Sequence, residues 1–449
     1  MNQKKEINPT RILIFGYISI IIIGAILLSL PIATNNGISL VDAIFTSTSA
    51  LCVTGLIVKD TATDFTLFGK FVILLLIQIG GLGYMTLSTS FFFFLGKKIS
   101  LRERMLFKES INFLSYDNLM RFAWRIFRIT FVVEMIGAVL FYFSFVKRFS
   151  PPVALCHAIF HSVSAFCNAG FSTFSENLML FSKLWSVPLI ASILVITGGI
   201  GFIVISDTYY ILIKRERKEL SLHSKIVLKT TFILLLVGTL FIFFYEGQKS
   251  LAQYSLPMKI IHSFFQAVTP RTAGFNTINI ASFSNITIFL LIVFMFIGAS
   301  SGGTGGGVKT STFSLMLIWM KELLFGRYKN DVTTMKKRIP QEQAMRSFLL
   351  ISLSASLIFI AFFLILLFDD AQPLKLLFEI FSAFGTVGLS LGSVINPACS
   401  YACDLSPAGK LILIFMMLTG KVGTLTLGSA LIKPHSYDFS YPEEPIVIG

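Results

Sequence analysis

Charge is what this sequence has least of. Only 13% of its 449 residues are Asp, Glu, Lys or Arg, about half the 25% share of an ordinary soluble domain. With 54% hydrophobic residues and a mean hydropathy of +0.79, a soluble chain would have no polar surface to turn toward water, so lipid is the expected solvent. Cysteine is scarce as well. Cys52, Cys156, Cys167, Cys399 and Cys403 lack a zinc-site spacing with histidine,. Cys399 and Cys403 share one polar loop and could pair if that loop faces an oxidising compartment, with free thiols the alternative. No Walker motif, catalytic triad or cluster of metal ligands stands out, so an enzyme is not expected and no covalent cofactor is called for. Acidic residues are outnumbered, leaving a net charge of +14. That excess lies in short loops between apolar runs, which points to membrane orientation and away from nucleic acid.

What is present is a regular alternation of apolar lengths. About 20 apolar residues span a bilayer, while runs of about 10–14 suggest re-entrant segments. Long runs lie at 12–30, 68–95, 122–146, 182–213, 224–246, 281–325, 343–368 and 406–432, and shorter semi-polar ones at 42–53, 153–167, 258–270 and 373–385. The first run is too long for a signal peptide and lacks a small-residue cleavage site, so no cleaved leader is expected. Each short run ends alike: Val53-Thr54-Gly55-Leu56, Asn168-Ala169-Gly170-Phe171, Thr272-Ala273-Gly274-Phe275 and Thr386-Val387-Gly388-Leu389. The glycines are 115, 104 and 114 positions apart, the signature of an internal repeat. Hydroxyl residues recur upstream at Ser47, Ser49, Ser162, Ser164, Ser263 and Ser382.

Lys and Arg set the orientation. They crowd the loops after the second run (Lys97, Lys98, Arg102, Arg104, Lys108), the fourth (Lys214, Arg215, Arg217, Lys218) and the sixth (Arg327, Lys329, Lys336, Lys337, Arg338), and the N-terminus carries Lys4, Lys5 and Arg11. These regions are expected in the cytoplasm together with both termini, and the four short segments then dip in from outside. Irregular backbone is tolerated at membrane depth only where protein buries it or it lines a cavity, so the four segments are expected to meet on one axis. Inward-running short helices would aim their C-terminal partial negative charge at the membrane centre, favouring a cation. Carbonyls of the residues that follow would replace its hydration shell, with glycine letting the backbone turn them inward. The competing role for any single glycine is close helix packing.

Four such quartets, with Gln78-Ile79-Gly80-Gly81-Leu82-Gly83, Gly198-Gly199-Ile200-Gly201-Phe202 and the run from Gly298 to Thr310, give the chain a resemblance to the Trk/Ktr/HKT superfamily of potassium transport proteins along nearly its whole length. It looks most like the membrane subunit of the Ktr system, a likeness that the C-terminal stretch from Tyr441 to Gly449 shares. The resemblance implies an all-α integral membrane fold of four membrane-helix/pore-loop/membrane-helix repeats: eight spans and four re-entrant loops around one central pore, with pseudo-four-fold symmetry. The repeats would be 1–95, 96–213, 214–325 and 326–432, followed by a cytoplasmic tail at 433–449. The filter would comprise Val53, Thr54, Gly55, Asn168, Ala169, Gly170, Thr272, Ala273, Gly274, Thr386, Val387 and Gly388, holding potassium on carbonyls alone. Glycine at position 55 goes with potassium preference in the family, whereas some plant relatives carry serine and pass sodium. The expected function is potassium uptake at the cell membrane driven by membrane potential, with sodium as a co-ion or activator. The expected partners are a second copy and a cytosolic nucleotide-binding RCK ring. The alternative is an ion-coupled secondary carrier.

The glycine run inside the sixth span contains Gly302, Gly303, Thr304, Gly305, Gly306 and Gly307. Each glycine costs a helix about 1 kcal/mol relative to alanine, so a broken helix is expected. Val308 stands where a phosphate loop needs glycine before its lysine, which argues against nucleotide binding. The resemblance implies a gate here. Lys421, in the eighth span, stands where the family has arginine. A cation about 6 Å from it would meet roughly 3 kcal/mol of repulsion at an effective dielectric of 20, so Lys421 is expected to act as a barrier and as a partner of the gate loop. His157, His161 and His262 are expected in structural hydrogen bonds rather than on a metal.

Overall fold

The computed structural model describes residues 9–83, 86, 119–212, 215, 219–326 and 332–431. The basic residues Lys97 to Lys108, Lys214, Arg217, Lys218, Arg327 and Lys329, the end of the first repeat and the tail 433–449 lie outside the described residues.

The chain is helical, and its helices come in sets of three. A long helix leads each set: α1 Pro9–Ser29, α4 Leu119–Phe145, α8 Leu222–Glu246 and α12 Gln341–Phe368. A short one follows: α2 Leu40–Leu51, α5 Pro151–Phe166, α9 Leu256–Val268 and α13 Pro373–Gly385. Proline in the first turn starts α5, α9 and α13, where its missing N–H is no loss,. Ser39 caps α2 by accepting from Asp42 N. The short helices match the short apolar runs to within two residues at either end.

The third member is interrupted in the second, third and fourth sets. Among the described residues, the four long helices are apolar and long enough to cross a membrane, and up to six spans result if each of two bent pairs counts as one. Eight uninterrupted crossings, apart from the sixth, were expected. Instead α6 Ser186–Gly199 meets α7 Phe202–Leu212 at 97°, and α14 Pro407–Val422 meets α15 Thr424–Leu431 at 102°. The third helix, α3, is Leu67–Leu82, and in the third set α10 Asn285–Phe296 and α11 Thr310–Leu324 flank the glycine run. The physical reason is glycine. Gly83, Gly201 and Gly423 stand at the breaks with φ of +76°, +97° and +99°, a conformation open to glycine and closed to a continuing helix. A β-hairpin, β1 Val332–Thr334 with β2 Lys337–Ile339, packs Val332 and Ile339 near α11.

The long helices bury one face and expose another. Phe15, Ile22 and Ile26 on α1, Phe131, Met135 and Phe143 on α4, Phe232, Leu240 and Phe244 on α8, and Phe359, Phe363 and Leu367 on α12 are all exposed. Only 22–33% of the most apolar window of each long helix is buried. An outer surface this apolar is stable against lipid and not against water. The inner faces form separate clusters, one of which joins Leu28, Leu51 and Ile73 to Phe166, and another Phe45 to Leu376, Phe384 and Leu413. Residues far apart in sequence close the circle. Arg11 Nε donates to Ala430 O at 2.9 Å, and Lys410 pairs with Asp42 at 2.8 Å.

A candidate ion site at the ends of four short helices

Each short helix ends in the same turn. Val53, Asn168, Thr272 and Thr386 have φ of 53°, 59°, 73° and 50°, and Gly55, Gly170, Gly274 and Gly388 have 90°, 69°, 74° and 88°. Positive φ at four non-glycine residues in register is a costly arrangement, of the kind concentrated at functional sites.

The turns are held by hydroxyl residues. The middle N–H of each quartet donates backward: Thr54 to Ser49 O, Ala169 to Ser164 O, Ala273 to Thr269 O and Val387 to Ser382 O, at 2.7–2.9 Å. The hydroxyls of Ser49, Ser164 and Thr269 donate to the carbonyls of Leu56, Phe171 and Phe275. Ser49 and Ser382 also accept from the N–H of Gly55 and Gly388. Ser47 and Ser162 do a different job, donating to Ile21 O on α1 and Glu134 O on α4. Ser263, expected among these residues, has no partner for its hydroxyl among the described residues. Thr269 does the work in the third set.

The four turns meet. A methyl placed on Gly55 would lie 2.4 Å from Ala169 O, one on Gly170 2.9 Å from Ala273 O, one on Gly274 2.4 Å from Val387 O, and one on Gly388 2.1 Å from Thr54 O. Each glycine therefore faces the middle carbonyl of the next quartet, and the fourth faces the first, so the order closes into a ring. Turned to suit its neighbours, the Asn168 amide accepts from Thr272 Oγ1 at 3.1 Å and donates to Ala165 O and Val195 O, linking the second and third segments. The glycine and the middle residue of each expected filter segment are thus brought together, with Asn168 and Thr272 joined beside them.

The glycine run 298–310 folds against this ring. Its N–H groups donate to other sets: Ser300 to Gly199 O (2.9 Å), Thr304 to Gly198 O (3.2 Å), Gly306 to Thr386 Oγ1 (2.8 Å) and Gly307 to Gly420 O (3.1 Å). A methyl on Gly305 would stand 2.0 Å from Thr272 Oγ1, so the loop touches the first residue of two quartets. Lys421 Nζ donates to Thr304 O at 2.5 Å, and Lys309 Nζ to Gly305 O at 2.6 Å. The expected partnership of Lys421 with the loop is therefore a direct bond, and Lys309 is a second lysine that the sequence reading passed over.

Two further buried groups were missed. Arg271, beside Thr272, is 7% exposed, and its Nε has no partner among the described residues. Glu134 accepts from Gln78 Nε2 (3.2 Å) and Cys167 Sγ (3.7 Å) behind the second quartet. Charge inside a long apolar run is the signal that could have found Glu134. The histidines are structural as expected: His161 bridges His157 O and Ser172, and His262 bridges Thr277 and Ser182 O. Several other acidic residues are tied down rather than free. Glu379 takes Ser390 and Ala402, Asp369 takes Ser406, and Asp60 takes Ser175.

Comparison with known proteins follows the same lines. A family model described as a cation transport protein, TrkH, matches residues 8–440. The Ktr system potassium uptake protein B of Bacillus subtilis is 38% identical over 444 residues, covering 98% of this chain and 97% of that protein. The potassium/sodium uptake protein NtpJ of Enterococcus hirae is 35% identical over 456 residues, covering 99% and 98%. The crystal structure of the potassium transporter TrkH from Vibrio parahaemolyticus shares the fold, with a TM-score of 0.75 at 22% identity over 97% of this chain and 87% of that one. The chain belongs to the TrkH family of cation transport proteins.

Proposed function

We propose, with family membership as the premise, that this chain takes up potassium as the pore subunit of a Ktr-type system in the cell membrane. The closed ring of four glycine quartets carries the reading. Twelve backbone positions, three from each segment, supply carbonyls to a dehydrated monovalent cation, and the ring needs no side-chain charge. The short helices end against it, adding C-terminal partial negative charge. Potassium is the substrate, bound by carbonyls alone. The four sets act as four membrane-helix/pore-loop/membrane-helix repeats, with filters facing outside and both termini in the cytoplasm. Membrane potential supplies about 2.3 kcal/mol per charge per 100 mV, enough to drive uptake without a coupled reaction.

Residues Gly302 to Gly307 act as the gate, and Lys421 holds the loop at Thr304 while opposing a cation below the filter. Resemblance supports a homodimer and a cytosolic RCK ring as partners. Similarity to the potassium/sodium uptake protein of Enterococcus hirae supports a role for sodium as co-ion or activator.

The test is rubidium and potassium uptake into liposomes holding the full chain, with and without competing sodium, beside the Gly55→Ser form. Potassium preference that weakens in Gly55→Ser is expected. Equal potassium and sodium flux in the unaltered chain overturns the selectivity. Single-channel currents in bilayers separate a pore from an ion-coupled carrier.

A further inference from the structure

The four turns do not rest on the same support. Behind the second quartet, Cys167 Sγ lies 3.7 Å from the carboxyl of Glu134 on α4 and 3.9 Å from the amide oxygen of Gln78 on α3. Behind the third quartet the matching residues differ. Arg271 precedes Thr272 as Cys167 precedes Asn168. Ile196 matches Gln78: each stands two places before a glycine, Gly198 or Gly80, whose added methyl would lie 1.8 Å from the carbonyl of Phe166 or Leu51 just ahead of a quartet. Leu235 matches Glu134: each stands three places before a glycine, Gly238 or Gly137, whose added methyl would meet the next short helix at Ala267 or Ser162. The first junction between sets thus holds a carboxyl and a thiol where the second holds a leucine and a guanidinium.

Ile196, Leu235 and Arg271 line a cavity of about 10 Å³ between α6 and α8, together with Gly199 and Thr231. It has room for a single water-sized body. Arg271 and Thr231 are only 7% and 5% exposed, and neither Arg271 Nε nor Thr231 Oγ1 has a partner among the described residues. None of the described residues lining the cavity is acidic. Guanidinium keeps its charge at any ordinary pH, and a buried charge is strongly unfavourable unless it is paired.

We propose that this cavity binds one small monatomic anion, a halide, with Arg271 and Thr231 as its donors. The anion takes the place that the Glu134 carboxyl fills in the first junction. The room suits a single atom and excludes a tetrahedral oxyanion or a lipid headgroup. The bound charge cancels that of Arg271, one residue from the ring, so a potassium ion in the ring meets no unpaired cation behind the third quartet. It also steadies Gly199, whose carbonyl accepts from Ser300 N of the glycine loop. These consequences for uptake rest on the ring as the conducting element.

The probes are chloride and bromide, each against gluconate at fixed potassium concentration and ionic strength, on the full chain. Crystals grown in bromide should show an anomalous peak beside Arg271. In detergent, chloride should raise the melting temperature along a saturating curve, as a ligand of the folded state does. Rubidium uptake into liposomes should fall severalfold when gluconate replaces chloride. Thr231→Val should raise the chloride concentration at half the melting shift about fivefold, the size of one hydrogen bond. Leu235→Glu returns to the second junction the carboxyl of the first. It should pair Arg271 internally, remove the bromide peak and make melting indifferent to chloride. No peak at Arg271, or a peak with melting unmoved by chloride, overturns the site, as does a chloride response that survives Leu235→Glu. If Leu235→Glu does not fold, an unchanged half-point in Thr231→Val overturns it instead. A bound halide with equal uptake in chloride and gluconate overturns its coupling to the ring. Bromide density and melting are independent of transport, so a chain with no rubidium uptake at all counts against the pore and not against the anion.

Discussion

The glycine ring and the loop 298–310 lie against each other and are built on opposite plans. The ring is made four times over. Each segment is braced from within its own set, by Ser49, Ser164, Thr269 or Ser382, and the segments meet mainly glycine against carbonyl, with the Asn168–Thr272 bond as a side-chain link. The loop is made once. Its bonds go outward to Gly198, Gly199, Thr386 and Gly420 of other sets, and two lysines grip its carbonyls. A locally braced structure resists change when its neighbours shift. A structure held by long-range bonds is free to be released when the sets move relative to one another. Fixed selectivity suits the first plan and gating the second.

The comparison breaks first at Gly388→Ala. The methyl would sit 2.1 Å from Thr54 O, and an L side chain in the left-handed region costs a further 1–2 kcal/mol or so. Rubidium uptake should fall by more than about tenfold with normal membrane insertion by size-exclusion profile. Near-normal uptake would sink the ring as the conducting element. Next comes Lys421→Gln, which keeps a donor for Thr304 O and removes the charge. Uptake should rise, by up to about a hundredfold if all of the roughly 3 kcal/mol of repulsion is relieved. Unchanged or lower flux in an inserted protein defeats the barrier. The smallest effect sharpens the bracing. Ser49→Ala removes bonds to Leu56 O and Gly55 N, each worth about 1 kcal/mol net, and should weaken potassium preference over sodium a few-fold. Ser263→Ala, which has no bond to lose among the described residues, should leave it intact. Equal effects from the two would remove the bracing role.

Much of this arrangement was legible before any fold was known. The four quartets and their near-constant spacing located the ring, because a repeated backbone conformation needs glycine at a repeated place. The glycine run located the loop for the same reason. The bends at Gly201 and Gly423 were not read, although Gly198-Gly199-Ile200-Gly201 and Gly420-Lys421-Val422-Gly423 carry the signal. Hydropathy runs continuously through each bend and hides it. Thr269 was missed because it stands one place later than the serines it replaces.

By itself, then, the sequence determined what local forces decide. These are an apolar exterior for lipid, short helices begun at proline or a serine cap and ended in left-handed turns, and glycine wherever backbone must approach backbone. Only the tertiary structure decided which glycine faces which carbonyl, that Thr304 receives Lys421, that Arg271 lies buried with no partner for its Nε among the described residues, and that Ser400 bonds to Ile57. Those pairings join residues from about 100 to more than 300 positions apart. They depend on the closing of the circle between first and last sets, which no local pattern records.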